Sequence, residues 1–201
     1  MEEKNKLYED LQYIRDIIND SRNIIVEKGV GFIFWGVIVV IGLIYSYFDV
    51  LERGALRSDI AWIVLIGIGW IYTLITEGFL RKKSISSKFA SRLLGTIWFG
   101  AGISMTIIGF VATASGAIEG VYVSPFISLV LGIVFLASSQ IYNDKLMMAI
   151  SPLWWVGAIY MFFFPGKETI LVMAGMMFFL QIVPGIIFYK KYKAGQSQNG
   201  R

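Results

Sequence analysis

The chain has 201 residues, of which 56% are hydrophobic and only 16% charged; soluble domains carry nearer a quarter charged residues, so this balance places it in the membrane class. It holds no cysteine and no histidine, which removes disulfides, thiol nucleophiles, imidazole bases and the commonest zinc, copper and haem ligands. The net charge of +4 calls for no nucleic acid, because the basic residues form no patch interleaved with aromatics in a soluble domain.

Residues 1–28 are too charged for a cleaved signal peptide. Leu7, Leu11, Ile14, Ile18 and Ile25 recur at a/d spacing, and Ile17 and Ile24 widen the stripe, which predicts an amphipathic helix over 3–27 that leads into the first span. Its polar face is slightly acid-rich: Glu2, Glu3, Glu9, Asp10, Asp16, Asp20 and Glu27 stand against Lys4, Lys6, Arg15, Arg22 and Lys28. Helices that lie on anionic lipid usually show a basic face. This one suits protein contact instead: its own loops, a second copy of the chain, or a cytosolic partner.

A helix needs about 20 apolar residues to cross a bilayer core. Six stretches qualify, near 29–48, 60–80, 93–116, 121–141, 146–164 and 169–189. They predict a six-helix transmembrane domain over 29–190 and a tail over 191–201. The first span contains Gly31-Phe-Ile-Phe-Trp-Gly36, the third Gly95-Thr-Ile-Trp-Phe-Gly100, and the fifth Trp154-Trp155-Val-Gly157. This aromatic-then-glycine pattern fits three tandem hairpins of about 60 residues, or an ordinary interfacial aromatic belt.

The second span ends in TLITEGFLRKK, where Glu77 is the one acid or base well inside an apolar run. An intramembrane charge marks a proton or cation site by default. Arg81, four residues on, offers a plainer account as an interfacial ion pair. In the third span, glycine recurs every seven residues at Gly95, Gly102, Gly109 and Gly116, with Thr106 and Thr113 between them. Seven residues return a helix to nearly the same face. In lipid, small residues let backbones approach and hydroxyls bond across. The spacing predicts a packing seam along a central third helix, and that Gly102 or Gly109 replaced by leucine disrupts assembly.

The later spans carry Gln140 and Gln181, the latter the most deeply placed amide, and Pro125, Pro152 and Pro184. Proline removes a backbone donor and kinks a helix, and broken helices line sites in many transporters. Glu77, Gln140 and Gln181 are therefore the candidates for a polar cavity or ion site. Catalysis is hard to assemble: there is no histidine, no paired intramembrane aspartate and no cluster of metal ligands. The chain is expected to be no enzyme and to hold no cofactor or metal.

Lys and Arg set the threading. The loop RKKSISSKFASR, the tail after Tyr189, the opening segment and Lys145 hold fifteen basic residues on one side, against Arg53, Arg57 and Lys167 on the other. Both termini are expected in the cytoplasm. LQYIRDIINDSRN before a glycine-rich first span, and QIVPGIIFYKKYK at the end of the last, resemble a loose group of uncharacterised small bacterial membrane proteins with an N-terminal helix and six spans. The resemblance implies a bacterial cytoplasmic (inner) membrane setting and no established activity. The sequence thus predicts an all-α polytopic membrane bundle preceded by a cytoplasmic amphipathic helix, non-enzymatic, acting through helix packing and protein contact, as a membrane partner or modulator of a cytosolic factor. The alternative is a small-solute permease or channel with a polar cavity among the third, fourth and sixth spans.

Overall fold

The structure, a computed structural model, describes residues 29–52, 58–80 and 88–190. The N-terminal segment with Leu7, Leu11, Ile14, Ile18 and Ile25, the tail over 191–201 and the side chain of Glu77 lie outside the described residues.

Every described element is helical. In chain order they are α1 (Gly29–Glu52), α2 (Ser58–Leu80), α3 (Lys88–Thr106), a short 3-10 turn at Gly120–Tyr122, α4 (Val123–Tyr142), α5 (Lys145–Phe163) and α6 (Glu168–Met177). Two helices run on through wider π segments, α3 through Ile107–Ala112 and α6 through Phe178–Ile182, the latter continuing to Lys190. Five helices are long and apolar enough to cross a membrane: α1, α3, α4, α5 and α6, each with its extension. In α2 the apolar stretch with described side chains is Ile60–Thr76. The outer surface carries large apolar side chains at many positions, among them Ile63, Ile71, Leu74, Val111, Ile133, Val156 and Phe179. A surface of that kind is costly in water and fits a lipid surround, as in a multi-pass membrane protein.

Local features of the sequence accompany both π segments. Pro184 lacks an N–H, and its ring crowds the carbonyl four residues back; the widened turn Phe178–Ile182 contains that carbonyl, on Leu180. In α3, the Thr113 hydroxyl donates to the carbonyls of Gly109 at 2.6 Å and Ile108 at 3.2 Å, and such back-bonding distorts the ladder. The helix then closes at Gly116, whose φ of +74° is a conformation L side chains rarely adopt.

The α4–α5 hairpin is drawn tight by two residues. Asn143 takes the left-handed conformation, φ 49° and ψ 44°, as the C-cap of α4, and the Asp144 N–H donates to the Ser139 carbonyl at 3.1 Å. The Asp144 carboxylate then accepts from the Met147 N–H at 3.0 Å and caps α5. Asn143→Ala should cost about 1 kcal/mol, because alanine tolerates that backbone poorly, whereas Asn143→Gly should cost nothing. Asp144→Ala should lose about 1 kcal/mol of capping. Denaturant titration in mixed micelles, followed by circular dichroism, checks both; an alanine variant at 143 as stable as the parent would place control of the turn elsewhere.

The core is a continuous aromatic cluster. Phe32 of α1 meets Trp98 of α3 at a ring-centroid distance of 5.0 Å, Phe135 of α4 at 5.6 Å and Phe188 of α6 at 6.4 Å. Phe135 also meets Trp98 at 5.7 Å and Trp154 of α5 at 5.9 Å. Five helices thus converge on one apolar centre, extended along α5 and α6 by Met147, Met161, Met173 and Met177. The third helix is not the central one. Only 11% of its span is buried, against 33% for α4 and α5 and 39% for α6. The central position belongs to α4, whose inner face carries Ser124, Ser128, Leu131, Phe135, Ser138 and Tyr142 at helical spacing.

Candidate functional site

The period-seven row in α3 does not form one continuous contact. Gly102 lies under the Trp70 ring, with a Cβ built there 3.2 Å from Cη2 and Cζ2. Gly95 is half-buried near the start of the helix. Among the described residues nothing lies within 4 Å of the Cβ position of Gly109, and Gly116 sits in the closing turn. The reason is the π segment: an extra residue in a turn rotates the remainder of the helix by roughly 100°, so glycines beyond Ile107 leave the face that holds Gly102.

The close backbone seam lies instead between α1 and α6. A Cβ on Gly185 would stand 2.9 Å from the Gly29 carbonyl oxygen, 2.9 Å from Ile33 Cγ1 and 3.1 Å from Phe32 Cβ. One on Gly29 would stand 3.2 Å from the Gly185 carbonyl oxygen. Seven residues on, Gly36 receives the Ile182 side chain. The start of α1 and the end of α6 are therefore locked side by side by missing side chains, the contact that substitutes for hydrophobic drive in lipid.

A second device holds α2. Three Gly-x3-Ser/Thr steps each cradle a tryptophan from the neighbouring helix. Trp35 of α1 covers Gly69 and donates its indole N–H to the Thr73 hydroxyl at 3.0 Å. Trp62 of α2 covers Gly42, with a Cβ there only 2.7 Å from the ring, and donates to the Ser46 hydroxyl at 2.8 Å. Trp70 of α2 covers Gly102 and donates to the Thr106 hydroxyl at 3.4 Å. The chemistry is economical in polar groups. Thr73 and Thr106 spend their own protons on the carbonyls of Gly69 (3.0 Å) and Gly102 (2.7 Å), leaving lone pairs for the indole. The glycine lets the ring lie on the backbone. Gly109-x3-Thr113 and Gly100-x3-Ser104 repeat the spacing and the back-bond, but no atom of the described residues lies within 4 Å of either glycine's Cβ position.

Of the polar candidates, Gln140 and Gln181 are not brought together. Gln140 points outward from α4, its amide donating to the adjacent Ser139 hydroxyl at 3.4 Å. Gln181 is only 3% exposed, lies in the π segment of α6, and donates a long 3.5 Å bond to the Phe32 carbonyl. Most buried hydroxyls are occupied: Ser151 donates to the Gly132 carbonyl at 2.8 Å, Ser138 accepts from Trp98 Nε1 at 3.1 Å, and Ser128 donates to Met173 Sδ at 3.3 Å. Pro125 and Pro184 are buried and Pro152 faces outward. Among the described residues no three Asp or Glu side chains are placed to hold a metal ion.

The helix ends segregate by charge. Arg92, Asp144, Lys145 and Lys190 collect at the end where α3 and α5 begin and α4 and α6 finish; Asp49, Glu52, Glu119, Lys167 and Glu168 collect at the other. Comparison with protein-family models, with curated proteins and with solved structures gave no match for this chain.

Proposed function

We propose that the chain is a six-span protein of a bacterial cytoplasmic membrane, with both termini in the cytoplasm, that acts through protein contact as a membrane partner or modulator of a cytosolic factor. Residues 3–27 supply the docking helix, toward that factor or toward a second copy. One observation carries the reading. Phe32, Trp98, Phe135, Trp154 and Phe188 fill the place where α1, α3, α4, α5 and α6 converge, so the bundle invests its centre in packing, and the acid-rich amphipathic pattern of residues 3–27 is the part of the sequence with chemistry to offer a partner. The basic excess at the end where Lys145 and Lys190 lie supports the orientation. Among the described residues the permease alternative rests on Gln181, since Gln140 faces outward and the Glu77 side chain lies outside them.

Two measurements decide between them. Proteoliposomes should be no more permeable to glycerol, urea or monovalent cations than protein-free vesicles; a saturable flux abolished by Gln181→Leu would install the permease reading instead. After crosslinking in cells, a soluble protein or a second copy should be recovered with the full chain and lost when residues 1–25 are deleted. A reporter fused after Arg201 should be active only on the cytoplasmic side.

A further inference from the structure

Two buried polar atoms in the core, of opposite character, have no hydrogen-bond partner among the described residues: Trp154 Nε1, a donor, and Gln181 Oε1, an acceptor. Trp154 is 0% exposed and Gln181 3%. An unmet buried donor or acceptor costs about 1–3 kcal/mol, and hydrocarbon offers no substitute. The other five indoles all donate, Trp35, Trp62, Trp70 and Trp98 to hydroxyls and Trp155 to the Leu129 carbonyl.

The two groups stand at nearly the same depth on adjacent helices. Gly157 of α5 receives the Met176 side chain of α6, which fixes the antiparallel register. From that pair Trp154 is three residues back along α5 and Gln181 five residues forward along α6, about 4.5 and 7.5 Å in the same direction at helical rise. Both border the same aromatic centre: Phe32 accepts from Gln181 through its carbonyl, while its ring leads through Phe135 to Trp154. The backbone beside Gln181 is widened by the π segment and is followed by Pro184, which has no N–H to offer the preceding turn. Such broken ladders inside a membrane occur where protein or water re-satisfies them.

We propose that Trp154 and Gln181 form a buried hydration site, in which a water molecule accepts from the indole N–H and donates to the amide oxygen. Water has the required pairing of one acceptor with a donor, and the π segment supplies further carbonyls to complete the two to four bonds that buried water keeps. The site does not depend on the contact function proposed above. It explains why a glutamine and an indole are kept in an apolar core.

The test is a double-substitution cycle with a spectroscopic readout, on the full chain in nanodiscs. Trp154→Phe and Gln181→Met each strand the other polar group and should lower Tm by several degrees, whereas the double variant should be more stable than the sum of the single losses predicts. In 15N-indole spectra the Trp154 resonance, assigned by its loss in Trp154→Phe, should show a through-space cross-peak at the water frequency. Gln181→Met should abolish that peak and leave the Trp98 indole resonance, bonded to Ser138, in place. Single substitutions that raise Tm additively would overturn the proposal, as would a Trp154 proton with no contact to water. Coupled losses with a cross-peak to the Gln181 side chain in place of water would mean a direct bond, and would overturn it as well.

Discussion

Gly185→Ala should destabilise the protein by about 1–3 kcal/mol, and Gly185→Leu by more, whereas Gly109→Leu should leave stability within about 0.5 kcal/mol of the parent. The asymmetry comes from the atoms that each new side chain meets. At Gly185 a single methyl already falls 2.9 Å from the Gly29 carbonyl oxygen and 3.1 Å from Phe32 Cβ, atoms fixed to the backbone of α1 that cannot rotate aside. The strain must be relieved by moving α1 away from α6, which opens the contact beside Phe32 and Phe188. At Gly109 the added Cβ meets nothing within 4 Å among the described residues. Ile33→Ala should rescue Gly185→Ala only in part, since it removes the Ile33 Cγ1 contact and leaves the carbonyl. Thermal unfolding of all four variants in one detergent, read by tryptophan fluorescence, settles the point. Equal losses at 185 and 109 would mean that the seam runs along α3 after all.

That contrast also shows where the sequence could be read and where it could not. Hydropathy places the helices because apolar length is a local property: the apolar run that opens the described residues is helical throughout Gly29–Glu52. The Asn143–Asp144 turn is equally local, an αL residue followed by an N-cap. The seam is not local. Glycines seven apart occur at Gly29 and Gly36 as well as from Gly95 to Gly116, and only the partner helix decides which row is used. The α3 row fails where the helix widens over Ile107–Ala112, an event that a fixed 100° per residue does not contain. Gln140 was open to a closer reading. Ser128, Leu131, Phe135, Ser138 and Tyr142 mark the inner face of α4, and Gln140 falls off that stripe. Weighing polarity alone picks out the amide and overlooks the buried serines. The cradles escaped for a further reason: the Gly-x3-Ser/Thr spacing occurs at Gly42, Gly54, Gly69, Gly100, Gly102, Gly109 and Gly120, but among the described residues a tryptophan reaches three of them, and the interhelical register that selects them is a property of the assembled bundle.

Trp70→Ala should free the middle of α2 from α3. Gly69 is the one buried residue among the described side chains of α2, and Ile60, Ile63, Val64, Ile68, Ile71, Leu74 and Ile75 face outward, so little ordinary core holds this helix. Trp70 carries the α2–α3 side, with its ring over Gly102, its edge against Phe99 at 5.4 Å and Trp35 at 6.4 Å, and its N–H on Thr106. Truncating a tryptophan in such a setting costs about 3 kcal/mol, while interhelical hydrogen bonds in membranes average about 0.6 kcal/mol. Most of the loss should therefore come from the ring. Trp70→Phe, which keeps a ring over Gly102 and gives up a long 3.4 Å bond, should behave close to the parent. The absence of cysteine makes the measurement direct: spin labels at Val64 and Ile107, both outward-facing, report the α2–α3 distance without competing thiols. The distribution should be narrow in the parent and in Trp70→Phe, and broad in Trp70→Ala. A narrow distribution in the alanine variant would show that α2 is held by something other than its tryptophans, and the cradles would then be ornaments of the fold rather than its fasteners.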